Sequence, residues 1–254
     1  MFEVTARLKI REGELDGFKR QAAEVMRLAR EKDTKTVRYD WFITADETEC
    51  EVREGYIDAD GLLEHNEHVQ EARDQLFQDH AYGHDMTIYA DPSPGLAELM
   101  DRMSRHVPFH RYTLWQGLDG DSETRRTFEA TAHLKIREGQ LEGFKQQAAE
   151  VLRQMKELGD PPFRYDWFLS DDGTECEVRE AYVDADALLK HQQQIAEAKM
   201  KLVRGFVVGH TMTFYGELSP ALAQMLTTLG ATFTVCSLLQ GLDIDIEALA
   251  EVPA

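Results

Sequence analysis

Apolar and polar positions alternate from Phe2 to Ile10, where Phe2, Val4, Ala6, Leu8 and Ile10 interleave with Glu3, Thr5, Arg7 and Lys9. A period of two marks a strand with one buried face. After a turn at Glu12-Gly13 the period changes. Leu15, Phe18, Ala22, Val25 and Met26 fall at helical spacing and predict a helix through Arg30 or so. Strands follow near Val37 to Thr44 and Glu49 to Ile57, joined by a polar ADET turn. Asp58 or Asp60 can cap a second helix ending near Phe77. Next come a strand near Asp85 to Tyr89, a short helix with Ser93 as cap and Pro94 at its first position, and a last strand around Tyr112 to Gln116.

The whole pattern then returns. FEVTARLKIREGELDGFKRQAAEVMR, from Phe2 to Arg27, recurs as FEATAHLKIREGQLEGFKQQAAEVLR, from Phe128 to Arg153. RYDWFITADETECEVREGYIDADGLLEH, from Arg38 to His65, recurs as RYDWFLSDDGTECEVREAYVDADALLKH, from Arg164 to His191. The chain is therefore expected to hold two repeats, residues 1–120 and 127–254, with a boundary in the charged segment Asp119 to Thr127. Each repeat reads β-α-β-β-α-β, a ferredoxin-like α+β sandwich with an appended helix and strand. Helices on one face leave the other face of the sheet bare, and two equivalent sheets can cover each other. Arg38, Asp40, Glu51 and Arg53 fall on that second face, where opposite charges can pair across strands. Two tethered, separate domains are the alternative, against which stands a linker that is short and not rich in Gly and Ser.

Composition narrows the partners. A hydrophobic fraction of 43% suits a globular protein. The formal net charge of -19 opposes binding to nucleic acid or to an anionic membrane surface. No apolar run approaches the roughly 20 residues of a membrane span. The N-terminus lacks the apolar core of a signal peptide, so a cytoplasmic protein is expected. Cys50, Cys176 and Cys236 have no metal-ligand spacing and read as reduced, buried thiols.

Alternation places Tyr39, Trp41 and Ile43 on one strand face, and Cys50, Val52, Glu54 and Tyr56 on one face of the next strand. His65, between Leu62 and Val69, lies on the apolar stripe of the second helix, as His191 does between Leu188 and Ile195. If these faces lie under the helices, an imidazole, a carboxylate and aromatic rings meet in each half. The sets are His65, Glu54, Tyr39, Trp41 and Tyr56, then His191, Glu180, Tyr165, Trp167 and Tyr182. A histidine oriented by a carboxylate in an apolar pocket suits proton abstraction. The plain alternative is a pair of satisfied core histidines. His84 and His210 are secondary candidates. His68 becomes Gln194, Asn66 becomes Gln192 and Arg7 becomes His133, so the two neighbourhoods need not be equally active. His65 and His68 could share a metal, but Gln194 breaks the pair in the second copy and no further ligand is spaced to complete it; no metal is expected. The chain has no phosphate-binding glycine loop, serine elbow or dinucleotide fingerprint.

The run YDWF, a polar hairpin, and then ECEVRE-Y-D-D-LL--H resembles the antibiotic biosynthesis monooxygenase (ABM) domain of the dimeric α+β barrel superfamily. The likeness covers nearly all of each half. It departs from the family pattern in the tandem fusion and in the extra helix and strand after Asp91 and Glu217. The resemblance implies an intramolecular pseudo-dimeric α+β barrel, with further homo-oligomerisation open. It implies a cofactor-independent monooxygenase acting with O2 on a hydroquinone or a phenolic or polycyclic aromatic molecule. His65 or His191 would be the base, Glu54 or Glu180 would orient it, and Tyr39, Trp41, Tyr56, Tyr165, Trp167 and Tyr182 would hold the ring. Haem degradation fits less well, because the haem-degrading members use a first-strand asparagine that Phe2–Ile10 and Phe128–Ile136 lack. A non-catalytic binding or stress-associated protein and an isomerase using the same pocket are the competing readings.

Overall fold

The computed structural model describes residues 1–118 and 128–242. The boundary expected at Asp119 to Thr127 lies outside the described residues. By its contacts the chain divides into two compact units whose edges fall inside strands. The first is Met1–Arg111 with the segment that starts at Ser237; the second is Tyr112–Cys236.

The first unit holds strands β1 (Phe2–Ile10), β2 (Thr36–Thr44), β3 (Glu49–Tyr56) and β4 (Ala81–Ile88), and the start of β5 (Phe109–Gln116). Its helices are α1 (Leu15–Lys32), α2 (Ala59–Asp79) and α3 (Pro94–Met103). The sheet order is β2-β3-β1-β4-β5, antiparallel except for the parallel β4–β5 pair. The end of β10 (Phe233–Gly241) runs beside β2, where the Leu242 amide donates to the Tyr39 carbonyl at 3.2 Å. The apolar stripe read from the sequence is the buried face of α1, with Phe18 and Ala22 fully buried. Of the two cap candidates, Asp58 serves, its carboxylate accepting from the Gly61 amide at 2.9 Å. Ser93 caps α3 with Pro94 at its start.

The second unit repeats the plan with the end of β5, β6 (Phe128–Ile136), β7 (Arg164–Ser170), β8 (Glu175–Tyr182), β9 (Val207–Tyr215) and the start of β10. Its order is β5-β7-β8-β6-β9-β10. The helices are α4 (Leu141–Lys156), α5 (Ala185–Gln194), α6 (Ala196–Phe206) and α7 (Pro220–Thr228). Here the counterpart of α2 is broken at Ile195 into α5 and α6. The α+β class and the ferredoxin-like repeats expected from the sequence are thus what the structure has. No helix among the described residues is long and apolar enough to cross a membrane.

The strand faces turned away from the helices carry buried charge, as the alternation required. Arg38 Nε donates to Asp40 Oδ2 at 2.8 Å, and Arg53 lies opposite Asp40 in the β2–β3 register. In the second unit Arg179 Nε donates to Glu177 Oε1 at 3.0 Å, both side chains 3% exposed. Charges so desolvated persist only when paired.

The two β-hairpin turns differ at one position. Gly173 takes a left-handed φ of 67° in the second repeat, while the same place in the first is Glu47 at 58°. A side chain costs about 1–2 kcal/mol there. Glu47 is exposed, and its 3.2 Å ion pair with Lys19 is worth little in water. Glu47→Gly is therefore expected to raise stability by up to about 1 kcal/mol after the added unfolded-state entropy of glycine. This reads as a higher urea midpoint at unchanged slope; a lower midpoint would show that the Lys19 pair outweighs the strain.

Candidate functional site

In the first repeat the site begins where α1 ends. Asp33 follows the helix in extended conformation, which turns its carboxylate toward α2. Its Oδ2 accepts from His65 Nδ1 at 2.7 Å and from Thr36 Oγ1 at 2.8 Å, and its Oδ1 accepts from His68 Nδ1 at 2.8 Å. Burial pushes the Asp33 carboxyl up, but the hydrogen bonds and charge attraction of His65, with those from His68 and Thr36, outweigh it and hold the group below its ordinary value. A carboxylate only accepts, so Nδ1 of each imidazole carries a proton, and in the neutral ring the lone pair is on Nε2. His65 is 4% exposed and lines a cavity of about 40 Å³ under the helices.

Tyr39 and Trp41 from β2, Val52 and Glu54 from β3, and Leu62 and Val69 from α2 line that cavity with His65. The expected convergence of imidazole, carboxylate and rings is present, with one correction. Glu54 does not orient His65; Asp33 does. Glu54 instead accepts from the Tyr56 hydroxyl at 2.6 Å, because the two side chains lie two residues apart on one strand face. Burial pushes the Glu54 carboxyl up despite His65, Tyr56 and Arg73 pulling the other way. Tyr56 stands behind Glu54 rather than on the cavity wall. Tyr39 packs edge-on to His65, ring centroids 4.6 Å apart, and to Trp41 at 5.8 Å. The secondary candidate His84 also reaches the cavity, stacked on Phe77 at 4.7 Å, and burial lowers its pKa to about 4.

Four lining residues are part exposed: Asn66, Arg73, Phe77 and His84. They form the mouth; the remaining walls are buried. Arg73 was not singled out by the sequence pattern. It occurs eight residues after His65, on the same helical face, and donates to Asn66 Oδ1.

The second repeat assembles the counterpart side chains without the carboxylate. Gly159 stands where Asp33 does in the first copy, in step with the other repeat positions. His191 Nδ1 faces the Tyr182 hydroxyl, which donates to Glu180 Oε2 at 2.6 Å. Glu180 therefore reaches His191 only through Tyr182, a second correction. Burial drives the His191 pKa to about 3, helped by the Lys199 charge. His191 Nε2, Trp167 Nε1 and His210 Nε2 are buried with no hydrogen-bond partner among the described residues. Tyr165 packs 5.4 Å from His191. Lys199 replaces Arg73 and donates to Gln192 at 2.5 Å, and burial pulls its amine down. The two repeats share their aromatic side chains and differ in the partner of the histidine.

No protein-family model matches the chain, and no curated protein matches it significantly. Solved structures do. A "putative monooxygenase" of Fusobacterium nucleatum superposes with a TM-score of 0.59 at 10% identity, covering 83% of this chain and 89% of its own. A "putative monooxygenase" of Lactobacillus acidophilus gives 0.53 at 11% identity, covering 83% and 90%. An "anthrone oxidase-like protein" gives 0.50 at 8% identity, covering 83% and 88%. At such identities the likeness is one of fold, and the coverage shows that these neighbours match across both repeats. The chain thus has the fold of these proteins, ferredoxin-like α+β repeats in tandem.

Proposed function

We propose that the cavity of the first repeat is the active site of a cofactor-independent monooxygenase acting on a hydroquinone or another phenolic or polycyclic aromatic substrate, with His65 as its base. The observation that carries this reading is the Asp33–His65 hydrogen bond of 2.7 Å at the wall of an aromatic-lined cavity. The bond holds Nδ1–H outward, so the basic Nε2 is the nitrogen left for a substrate hydroxyl. Asp33 then stabilises the imidazolium that forms.

In this scheme the substrate hydroxyl gives its proton to His65 Nε2. The electron-rich anion passes one electron to O2, and the resulting radical pair joins as a carbon–oxygen bond. His65 returns the proton to the peroxide. Loss of water from the hydroperoxide, with the hydrogen of the same carbon, leaves a carbonyl and so accounts for both oxygen atoms. Tyr39 and Trp41 flank the ring, and buried walls keep bulk water from the anion. The cavity of about 40 Å³ admits O2 but falls short of the roughly 150 Å³ that accepts benzene. A ring therefore enters with displacement of the mouth side chains Asn66, Arg73, Phe77 and His84. The competing reading is a binding protein or an isomerase without oxygen chemistry that takes its ligand through the same mouth. Oxygen uptake with a hydroquinone panel separates them.

His191 has no part in proton abstraction in this account. His65→Ala is expected to lower kcat/KM about a hundred-fold to ten-thousand-fold, and Asp33→Asn at least about ten-fold, while His191→Ala keeps most of the wild-type rate. Equal losses from His65→Ala and His191→Ala would reject the assignment. In a proton NMR titration, the His191 ring resonances should stay unchanged as pH falls from neutrality to about 4, since burial keeps that imidazole neutral down to about 3. A His191 midpoint near 6.5 would show it to be solvated and available.

A further inference from the structure

Arg73 is the one residue at the mouth of the cavity with a permanent charge. It lies on the inner face of α2 two turns beyond His65, and its charge is felt by Glu54, Tyr39 and His84 within the site. Its partners are a neutral amide and one exposed carboxylate. The guanidinium donates to the neutral carboxamide of Asn66, and its nearest ion-pair partner is the exposed Asp74 at 3.5 Å. Glu54, on the wall of the same cavity, already accepts from the Tyr56 hydroxyl with one of its oxygens, and burial pushes its carboxyl up. The second repeat keeps the arrangement with different residues: Lys199 donates to the carboxamide of Gln192. A basic side chain resting on a carboxamide thus occurs at the same place in both repeats. A purely structural role would be met more cheaply by an apolar side chain, since a part-buried guanidinium loses hydration.

We infer that Arg73 anchors a carboxylate on the substrate, so that the preferred ligand of the first-repeat cavity is a hydroxyaryl carboxylic acid rather than a neutral phenol. This rests on the reading of that cavity as a hydroxyaryl site. The geometry sets the length. Eight residues of helix separate the two Cα atoms by about 12 Å, and both side chains lean toward the helix N-terminus. A hydroxyl at His65 and a carboxylate at Arg73 are then spanned by one or two fused rings. Asn66 is the group that the guanidinium releases when the carboxylate arrives. A planar guanidinium can take both oxygens of a carboxylate at once. In a protein with a net charge of -19, such a cation is also the local feature that makes an anionic ligand acceptable.

The test is anaerobic calorimetry with a para-dihydroxynaphthoate and with the para-dihydroxynaphthalene that lacks its carboxylate, on wild type, Arg73→Gln and Arg73→Lys. Wild type should bind the acid about ten-fold to a hundred-fold more tightly than the neutral compound. Arg73→Gln should bind both equally, at the affinity of the neutral compound. Arg73→Lys, which places the residue of the second repeat at this position, should recover part of the preference. Equal binding of both compounds by wild type, or an acid preference that survives in Arg73→Gln, overturns the anchor and leaves the hydroxyaryl site standing. Binding of neither compound by wild type overturns both.

Discussion

One hydrogen bond decides how the rest of this molecule is to be understood: the contact of 2.7 Å between Asp33 and His65. Without it, the imidazole on the apolar stripe of α2 would be a buried polar group with a free choice of tautomer. With it, the ring has a fixed face, a fixed proton and a counter-charge for any proton it accepts. Asp33 supplies this because it is the first residue after α1, extended and buried at the side chain, with His68 and Thr36 filling its remaining acceptor sites. The cost of desolvating a carboxylate is offset by three hydrogen bonds, and the same bonds leave it no freedom to turn away.

The second repeat is a natural control for that constraint. It preserves the strands, the aromatic walls, the glutamate, the tyrosine and the histidine, but has Gly159 in place of Asp33, Gln194 in place of His68, Lys199 in place of Arg73 and a break in the helix at Ile195. Deprived of Asp33, His191 engages the Tyr182 hydroxyl and burial drives its pKa to about 3. A group so weakly basic takes no proton from a phenol near neutrality. The same fold thus holds an imidazole bonded to a buried carboxylate in one half and one bonded to a tyrosine hydroxyl in the other, with Asp33 in the first copy standing where the second has Gly159.

Much of this was legible in the sequence. Alternation fixed which side chains of β2 and β3 face the helices, so Tyr39, Trp41 and Glu54 were placed correctly at the cavity. Helical spacing put His65 there too. The carboxylate partner is not legible in the repeat pattern, because Glu54 and Glu180 recur between the copies and Asp33 does not. Its only sequence signal is its place at a helix end, where a chain reversal can bring a side chain against a distant helix. Arg73 was missed for a different reason: Lys199 keeps its charge but not its identity, so the pair disappears from a comparison of letters and reappears in a comparison of charge. Tyr56 was legible as buried but not as a support behind Glu54, since alternation gives a face and not a depth.

The account stands on the tautomer of His65. A long-range proton–nitrogen correlation spectrum, recorded with the ring in its neutral form, reports it without any substrate. The prediction is a protonated Nδ1 and a bare, pyridine-like Nε2 for His65 in the wild-type protein, giving way to a mixture of tautomers in Asp33→Asn. A His65 that carries its proton on Nε2, or that ignores the loss of the Asp33 charge, would contradict it.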